Sequence, residues 1–442
     1  MIEGLKPHSA YKDSGVPWLG EVPEQWEILR SKRLFAARKE FAALEDVQLS
    51  ATQAYGVIPQ SEFERRVGRR VVRISMHLEK RRHVEKDDFV ISMRSFQGGL
   101  ERAWAEGAIR SSYVVLKAQR GVDVGFFAHL FKSHCYIRAL QSTADFIRDG
   151  QDLNFSNFSS VDLPLPPIDE QAAMGRFLDH ANRRIDRFIR AKRKLILAAS
   201  EVRASMTEEV VRSSIVPYSR LSSVATLVSR PVNREMGRSY VRLGLKNRGR
   251  GIFHKSSTPS EHLGASDFFW VEPGDLVISG QFAWEGAVAI ASQGDRGCIV
   301  SHRYPVVQAT AGVAITPYLW AFLRSGYGDL LLDVNSRGAA GRNRPLNEKA
   351  LLKEKIPVPP LEAQKKVADV VASEAEVRSS VERQIAVIQE YRTRLVADVV
   401  TGQLDVREAA ARLPADEPDT AGEELASEAD QEEDIEPEEM AE

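Results

Sequence analysis

The chain contains very little cysteine. Cys135 and Cys298 are the two cysteines in 442 residues, they lie in different halves, and neither belongs to a CxxC or other metal-ligand spacing. We therefore expect no disulfide framework and no zinc site, which favours a reducing cytoplasm. No run of about 18 apolar residues could form a transmembrane helix, and Met1–Lys6 lacks the apolar core of a signal peptide. We expect a cytoplasmic protein without a membrane partner.

Recognisable catalytic motifs are also missing. The sequence contains no GxxxxGK[ST], no HExxH and no GxGxxG that opens a strand–helix unit. An Asn/Asp-Pro-Pro-aromatic loop for methyl transfer to amines is excluded, because aliphatic residues, Ile168 and Leu361, follow the Pro-Pro pairs. His129 and His134 are five residues apart on a predicted helix and do not share one face well. We assign no catalytic residue and no metal ligand, and the pattern favours a binding protein over an enzyme.

Positive charge exceeds negative charge in the chain outside its C-terminus. Residues 413–442 contain fourteen Asp or Glu and no Lys or Arg, whereas residues 1–412 contain 60 basic and 48 acidic residues, a net charge of +12. A basic body favours a polyanion such as nucleic acid, although scattered Lys and Arg are also typical of a solvated surface. We predict an acidic disordered tail over residues 403–442, whose role the sequence does not assign.

The sequence repeats its own plan. Leu163–Gln171 (LPLPPIDEQ) recurs as Ile356–Gln364 (IPVPPLEAQ), and Val84–Ser92 resembles Val271–Ser279. Proline cannot continue a helix, so each Pro-rich stretch predicts extended chain leading into a helix. The predicted fold is α+β: mixed, strand-rich domains at 1–165 and 216–358 alternate with long helices at 166–215 and 359–402.

A heptad pattern runs through both predicted helices. Apolar residues recur every three or four positions over about four heptads, as expected for a coiled coil. Charged residues interrupt the two patterns at non-equivalent positions, so we hypothesise that the helices pair with each other; alternatively, these charges lie at exposed edges of the seam. The predicted seam comprises Leu178, Ile185, Phe188, Leu195, Val202, Val371, Val381, Ile385, Ile388 and Leu395.

Basic clusters and polar loops are the candidate binding residues. Arginine and lysine bind phosphates, while Arg and Gln can also make paired contacts to guanine and adenine. For any one residue, a surface or salt-bridge role is as plausible as a contact with nucleic acid. The candidate DNA-binding residues are Arg65, Arg66, Arg69, Arg70, Arg94, Ser95, Gln97, Gly98, Lys246, Arg248, Arg250, Gln281, His302, Arg303, Arg337, Arg342 and Arg344.

Four motifs together resemble one protein family. They are Tyr11–Glu27 (YKDSGVPWLGEVPEQWE), the two Pro-Pro-x-x-x-Gln helix starts, Ser92–Gly99 (SMRSFQGG) and Val400–Arg407 (VTGQLDVR). Each motif alone is weak evidence for a family, but the resemblance covers residues 11 to 405. The sequence resembles the specificity (S) subunits of type I restriction–modification systems, from whose pattern only the acidic tail departs.

The resemblance implies a division of labour. Two target recognition domains would each read one half of a bipartite double-stranded DNA target, and the helices would form an antiparallel coiled coil that sets the spacer. Two modification (M) subunits would dock on this chain and carry S-adenosylmethionine for adenine methylation, so no cofactor is expected here. Restriction (R) subunits are a further partner, whose presence the sequence leaves open.

Two other functions remain as alternatives. A fused methyltransferase or nuclease would need the catalytic motifs that the sequence lacks. A coiled-coil scaffold with two protein-binding domains would need no affinity for DNA.

Overall fold

Strand-rich regions alternate with long helices in the computed structural model, which describes residues 5–68, 70–71, 80–92, 95–143, 154–212, 216–338 and 344–414. The chain divides into two units: the first lies within Met1–Arg190 and Gln384–Gln431, and the second within Ala191–Arg383. Helix α7 spans Ile168–Arg212, where the sequence predicts 166–215, and α12 spans Leu361–Val400, where it predicts 359–402. The predicted α+β fold is confirmed.

The first unit combines short antiparallel strands with short helices. Its strands are β1 (Tyr11–Asp13), β2 (Glu21–Pro23), β3 (Glu27–Arg30), β4 (Phe35–Ala37), β5 (Leu49–Thr52), β6 (Gly56–Pro59), β7 (Arg82–Val84), β8 (Phe89–Ile91), β9 (Glu101–Arg102), β10 (Gly107–Ile109), β11 (Val114–Ala118) and β12 (Asp162–Leu165). Its short helices are α1 (Ser31–Leu34), α2 (Gln60–Val67), α3 (Ser95–Gly98), α4 (Val124–Lys132), α5 (His134–Gln141), α6 (Phe155–Ser160) and, near the C-terminus, α13 (Arg407–Ala411).

The second unit has a similar order of elements. Its strands are β13 (Tyr218–Arg220), β14 (Ala225–Leu227), β15 (Ser239–Tyr240), β16 (Leu243–Leu245), β17 (Ile252–His254), β18 (Thr258–Pro259), β19 (Phe268–Trp270), β20 (Leu276–Ile278), β21 (Val288–Ile290), β22 (Ile299–Ser301), β23 (Val306–Ala309) and β24 (Lys355–Pro357). Its short helices are α8 (Leu221–Val224), α9 (Thr316–Leu323), α10 (Gly326–Val334) and α11 (Glu348–Leu351).

The repeat seen in the sequence is a repeat of sheet topology. Among the described residues, each unit has a four-stranded antiparallel sheet, ordered β4-β11-β8-β9 in the first unit and β14-β23-β20-β21 in the second. The pairs β3·β12 and β13·β24 also correspond, as do β7·β10 and β19·β22. The two units therefore share one scaffold.

Each scaffold packs around its own apolar core. In the first unit, Phe35, Phe89 and Phe131 pack ring against ring, with centroids 5.0–5.7 Å apart. In the second, Tyr318 and Phe322 of α9 are buried against the four-stranded sheet. Burial of these large rings contributes much of the hydrophobic stabilisation of each unit.

The Pro-Pro-x-x-x-Gln motif fixes the start of each long helix. The Gln171 side chain accepts a hydrogen bond from Asp123 N at 2.8 Å and donates to the carbonyls of Gly121 and Pro166. Gln364 makes the equivalent bonds to Ile315 N, Val313 O and Pro359 O. Both glutamines are fully buried. Each one therefore ties a long helix to the loop before α4 or α9 by satisfying backbone groups inside the protein.

The long helices pack against each other in opposite directions. Within the first unit, Asp186 of α7 pairs with Arg392 of α12. Within the second unit, a later residue of α7, Arg203, pairs with an earlier residue of α12, Glu374, at 2.8 Å. Position along α7 thus rises as position along α12 falls, which defines an antiparallel pair and confirms that the helices pair with each other.

The buried stripe on α12 keeps the predicted heptad register, but the stripe on α7 shifts by one residue after Ile185. On α12, burial steps by three and four residues from Gln364 through Val371, Val381 and Leu395 to Val399. The predicted seam is wrong for Phe188, Leu195 and Val202 of α7, which are exposed; Ile189, Ile196 and Arg203 occupy the stripe instead. An α-helix has 3.6 residues per turn, so its buried face drifts away from a strict 3.5-residue repeat. The other predicted seam residues are buried or half-buried.

The predicted tail starts too early in the sequence. Residues 403–414 fold against the first unit, and Val406, Ala409 and Ala410 are buried in its core. Lys6 pairs with Asp405 as a β-bridge, so the described N- and C-terminal segments meet within this unit. Residues 415–442, the remainder of the predicted tail, lie outside the described residues.

Candidate nucleic-acid interface

Two loops meet in each unit. The sheet loop connects the last two strands of the four-stranded sheet: residues 92–100 in the first unit, apart from 93 and 94, which are not described, and residues 279–287 in the second. The hairpin loop comprises residues 53–55 between β5 and β6, or residues 246–251 between β16 and β17. These loops contain, or lie beside, most of the predicted contact residues.

A lysine supports the sheet loop of the first unit. Lys132, at the end of α4, donates from Nζ to the Gly98 carbonyl at 3.0 Å and to the Glu101 carboxylate at 2.6 Å. The Gln53 side chain of the hairpin loop packs so closely on Gly98 that a Cβ atom there would displace it. The two loops are therefore in contact at Gly98.

Burial shifts the pKa of the carboxyl group beneath this loop. Glu101 is 1% exposed, and this desolvation raises the pKa of its carboxyl group to about 7, although Lys132 acts to lower it. A buried carboxyl group prefers its neutral form because its charge has lost the stabilisation that water gives. The Glu101 carboxyl group beneath the loop therefore titrates near neutral pH.

Helix α2 places arginines beside the hairpin loop of the first unit. The Arg66 guanidinium lies 5.1 Å from the centre of the Tyr55 ring and forms an ion pair with Glu62. Arg65 and Arg70 are exposed, and within the described residues neither has a hydrogen bond or ion pair. These two guanidinium groups are accessible to an anionic ligand.

An exposed tryptophan lies next to the same hairpin. Trp104 is 52% exposed, and the Arg102 guanidinium lies over its ring at 4.4 Å. Arg102 is held by two hydrogen bonds to Asp87 Oδ1, at 2.9 and 2.7 Å. This stacked pair presents a flat, positively charged surface of the kind that packs against sugars or bases.

In the second unit, the hairpin loop is bound tightly to the sheet loop. Gly249 N donates to Gly286 O at 2.8 Å, and the Asn247 amide donates to the Glu285 carboxylate. Arg324, at the end of α9, donates to Arg248 O at 2.7 Å. Arg324 directly follows α9, and Lys132 is the last residue of α4. A basic residue at the end of the corresponding helix therefore supports the loops in both units.

Further predicted residues converge on the second sheet loop. Arg344 lies over the Trp284 ring at 4.7 Å and pairs with Asp333 at 2.7 Å. Gly280 N donates to Arg303 O at 2.6 Å, and Leu346 N donates to Gly280 O at 2.8 Å. The structure thus brings together segments near residues 246, 284, 303 and 344 that are distant in the sequence.

The predicted residues differ in accessibility. The exposed ones are Arg65, Arg70, Gln97, Lys246, Arg248, His302, Arg303 and Arg337, and the half-buried ones are Arg66, Gly98, Arg250, Gln281 and Arg344. Arg69, Arg94 and Arg342 lie outside the described residues. Ser95 is fully buried, and its Oγ accepts a hydrogen bond from Ser92 N at 2.9 Å. A direct contact by Ser95 is therefore wrong, and its hydroxyl instead closes the turn.

Several residues of this surface were not predicted from the sequence. Gln53, Tyr55, Trp104, Asn247 and Arg324 join or support the loops described above. Short strands separated by turn residues would have indicated the two hairpins. No local pattern indicates that each hairpin lies against a sheet loop more than 30 residues away in sequence.

Neither a metal-ligand cluster nor a membrane-spanning helix occurs among the described residues. In the part of the chain that the structure describes, no three His, Cys, Asp or Glu side chains converge as metal ligands. His129 pairs with Asp179 at 2.8 Å, as a structural histidine would. No helix among the described residues is both long enough and apolar enough to cross a membrane.

Comparison with known proteins shows similarity at the level of fold. No protein-family model and no curated protein matches the sequence. A chain from a structure on complex assembly and conformational transition of the type I R-M system matches with a TM-score of 0.51 at 15% identity, covering 86% of this chain and 98% of that chain. This similarity shows a common fold over nearly the whole of that chain.

Two further solved structures match with lower TM-scores. The HsdS subunit from Thermoanaerobacter tengcongensis has a TM-score of 0.43 at 16% identity, covering 86% of this chain and 98% of its own. The S subunit of a type I restriction–modification system from M. genitalium has a TM-score of 0.40 at 14% identity, covering 85% and 96%.

Proposed function

We propose that this chain is the DNA-binding specificity subunit of a type I restriction–modification complex. One observation carries the proposal: the same scaffold occurs twice, whereas the loops that meet on it differ in their polar residues. The first hairpin loop offers Gln53 and Tyr55, and the second offers Lys246, Arg248 and Arg250. Each unit would read one half of a bipartite target, because different side chains present different hydrogen-bond patterns to base edges.

Electrostatics supports DNA as the ligand. The net charge of +12 over residues 1–412 attracts phosphates, and exposed cations include Arg65 on α2 and Lys246 in the second hairpin loop. Phosphate contacts give affinity in any sequence and release counterions, so binding should weaken steeply with salt. Aromatic and paired polar groups in the same loops would supply contacts to bases and sugars.

The long helices would set the spacer and dock two modification (M) subunits. On the part of α7 in the second unit, Leu195 and Val202 lie seven residues apart on one face and are 50% and 58% exposed, and exposed apolar residues that share a face are typical of a protein-binding surface. S-adenosylmethionine and methyl transfer would belong to the M subunits, and this chain would be non-catalytic and need no cofactor. The complex would act in the cytoplasm, with restriction (R) subunits as a further partner.

The second candidate is a coiled-coil scaffold whose two domains bind proteins. The same exposed aliphatic residues on α7 favour it, because they fit any apolar helical partner. The two functions differ in their predicted affinity for DNA. A scaffold would show no DNA binding that weakens as salt rises.

Adenine methylation in vivo tests the proposal directly. A host that carries this chain together with its M subunit should methylate a target made of two short sequences separated by a gap of fixed length. The control host expresses the M subunit without this chain and should lose that methylation. A continuous methylated sequence, or methylation independent of this chain, would contradict the assignment.

A further inference from the structure

Arg248 has an unusual backbone conformation. It lies at the tip of the second hairpin loop with φ +58° and ψ +30°, in the left-handed region that favours glycine. Gly249 and Gly251 of the same loop also have positive φ. An arginine in this conformation is strained, and strained residues persist only where the surrounding structure holds them.

Three contacts hold the loop around Arg248 in place. Arg324 donates to the Arg248 carbonyl at 2.7 Å, and Gly249 N donates to Gly286 O at 2.8 Å. The Asn247 amide donates to the Glu285 carboxylate on the other side. The Arg324 guanidinium also packs closely on Gly249 and Gly286, and a Cβ atom at either position would displace it. The backbone of Arg248 is therefore fixed from both sides against the sheet loop.

The side chain of Arg248 is not used by this support. It is exposed, and in the described part of the chain it forms no hydrogen bond or ion pair. The neighbouring Arg250 instead donates from Nε to Asn247 O at 3.1 Å, and Arg344 stacks on Trp284. Among the arginines of this loop pair, Arg248 thus combines a fixed backbone with an accessible guanidinium.

We propose that Arg248 reads a guanine in the half-site bound by the second unit, through two hydrogen bonds to O6 and N7 in the major groove. This inference rests on the proposed function, and it assigns one base of the target to one residue of the chain. The planar guanidinium matches the two acceptors of guanine, and a preorganised backbone lowers the entropy lost on binding.

Lys246 has a different role in the same loop. It is exposed two residues before Arg248, and its ammonium group acts as a point charge without the fork geometry that base reading uses. Its chemistry fits a phosphate, which positions the protein without distinguishing sequences. The two residues therefore predict different effects when they are replaced.

The test measures DNA binding by the full chain in complex with its M subunits. One probe is a duplex that carries the target sequence identified by the methylation experiment. The other probes are duplexes in which each base pair of both half-sites is replaced in turn. Wild type should discriminate roughly 10- to 100-fold at one G·C pair, and Arg248→Gly should lose discrimination at that pair alone. Glycine accepts a positive φ, so the melting temperature of Arg248→Gly should not fall.

Three other variants serve as comparisons. Arg248→Lys keeps the charge and should still lose most of the discrimination, because the lysine ammonium lacks the fixed, planar fork of donors that matches the two acceptors of guanine. Lys246→Ala should weaken binding to every duplex by a similar factor and reduce the salt dependence. Arg296→Ala removes an exposed arginine beyond the other end of β21 and should leave discrimination unchanged.

The outcomes separate this inference from the proposed function. If wild type binds the bipartite target but Arg248→Gly keeps its discrimination at every base pair, the inference is wrong and the proposed function stands. A uniform loss of affinity in Arg248→Gly would also overturn it, because that result indicates a phosphate contact. If wild type shows no sequence preference on any duplex, the proposed function itself fails.

Discussion

Lys132 and Arg324 illustrate how the fold assigns different roles to basic residues. Both lie beneath the loops of their units and donate to loop carbonyls, whereas Arg65 and Arg248 extend into solvent. In the sequence, all four are basic residues with nothing to distinguish their roles. Sequence reasoning could identify basic clusters but could not separate supporting residues from accessible ones, because burial depends on contacts between distant segments.

The buried carboxyl of Glu101 leads to a prediction about pH. Its folded pKa of about 7 lies above the usual value of 4.5, because burial disfavours the charged form. The contribution of Glu101 to stability is therefore fully present below about pH 4.5 and is lost as the pH rises through 7. Relative to Glu101→Gln, wild type should lose roughly 3 kcal/mol of unfolding free energy between pH 4.5 and 8.

Denaturant unfolding across this pH range measures the difference. Glu45→Gln, which changes an exposed glutamate of the same unit, controls for the loss of one negative charge. Parallel pH profiles for wild type and Glu101→Gln would contradict the prediction.

At the level of elements, the two long helices differ in how well sequence predicts them. The stripe on α12 keeps the predicted heptad from Val371 to Leu395, whereas the stripe on α7 shifts by one residue after Ile185. Apolar residues at Phe188, Leu195 and Val202 gave a heptad signal for a face that α12 does not cover. A periodic pattern identifies an apolar face, but the partner decides which face is buried.

The buried ion pair between Arg203 and Glu374 should make helix pairing sensitive to the loss of either partner alone. Both side chains are almost fully buried, and Glu374 also accepts a hydrogen bond from Ser200 Oγ at 2.7 Å. Glu374→Ala would leave the Arg203 charge buried without a carboxylate partner, so we expect a loss of about 3–5 kcal/mol of unfolding free energy. Thermal and denaturant unfolding measure this loss.

Two variants complete that experiment. Glu376→Ala, on an exposed face of α12, should change stability by less than about 0.5 kcal/mol. Replacing both partners, by Arg203→Met and Glu374→Leu, should recover most of the loss, since an apolar pair has no charge to desolvate. A double variant as unstable as Glu374→Ala would show that packing, not charge, dominates at this site.

At the scale of the whole molecule, the C-terminal segment belongs to the first unit. Val406, Ala409 and Ala410 join the core that contains Trp26, although 380 or more residues separate them in sequence. Composition suggested a tail from residue 403 because alanine and charged residues are frequent there. Small apolar residues of α13 give too weak a signal on their own to indicate a buried helix.

Neighbouring alanines of α13 provide a matched test. Ala410 is buried and Ala411 is exposed. Ala410→Asp would bury a charge without a partner, so we expect it to lower the unfolding free energy of the first unit by more than about 3 kcal/mol. Ala411→Asp should lower it by less than about 1 kcal/mol. Equal effects in thermal unfolding would mean that α13 does not pack into this core.

The duplicated scaffold, the two long helices and the basic body can be read from the sequence, because they depend on local periodicity, proline positions and composition. The ties from Gln171 and Gln364 to distant loops, the burial of Ser95 and the exposure of Arg248 on a fixed backbone arise only in the folded chain. These properties depend on which segments meet, and such contacts join residues whose spacing in the sequence carries no periodic signal.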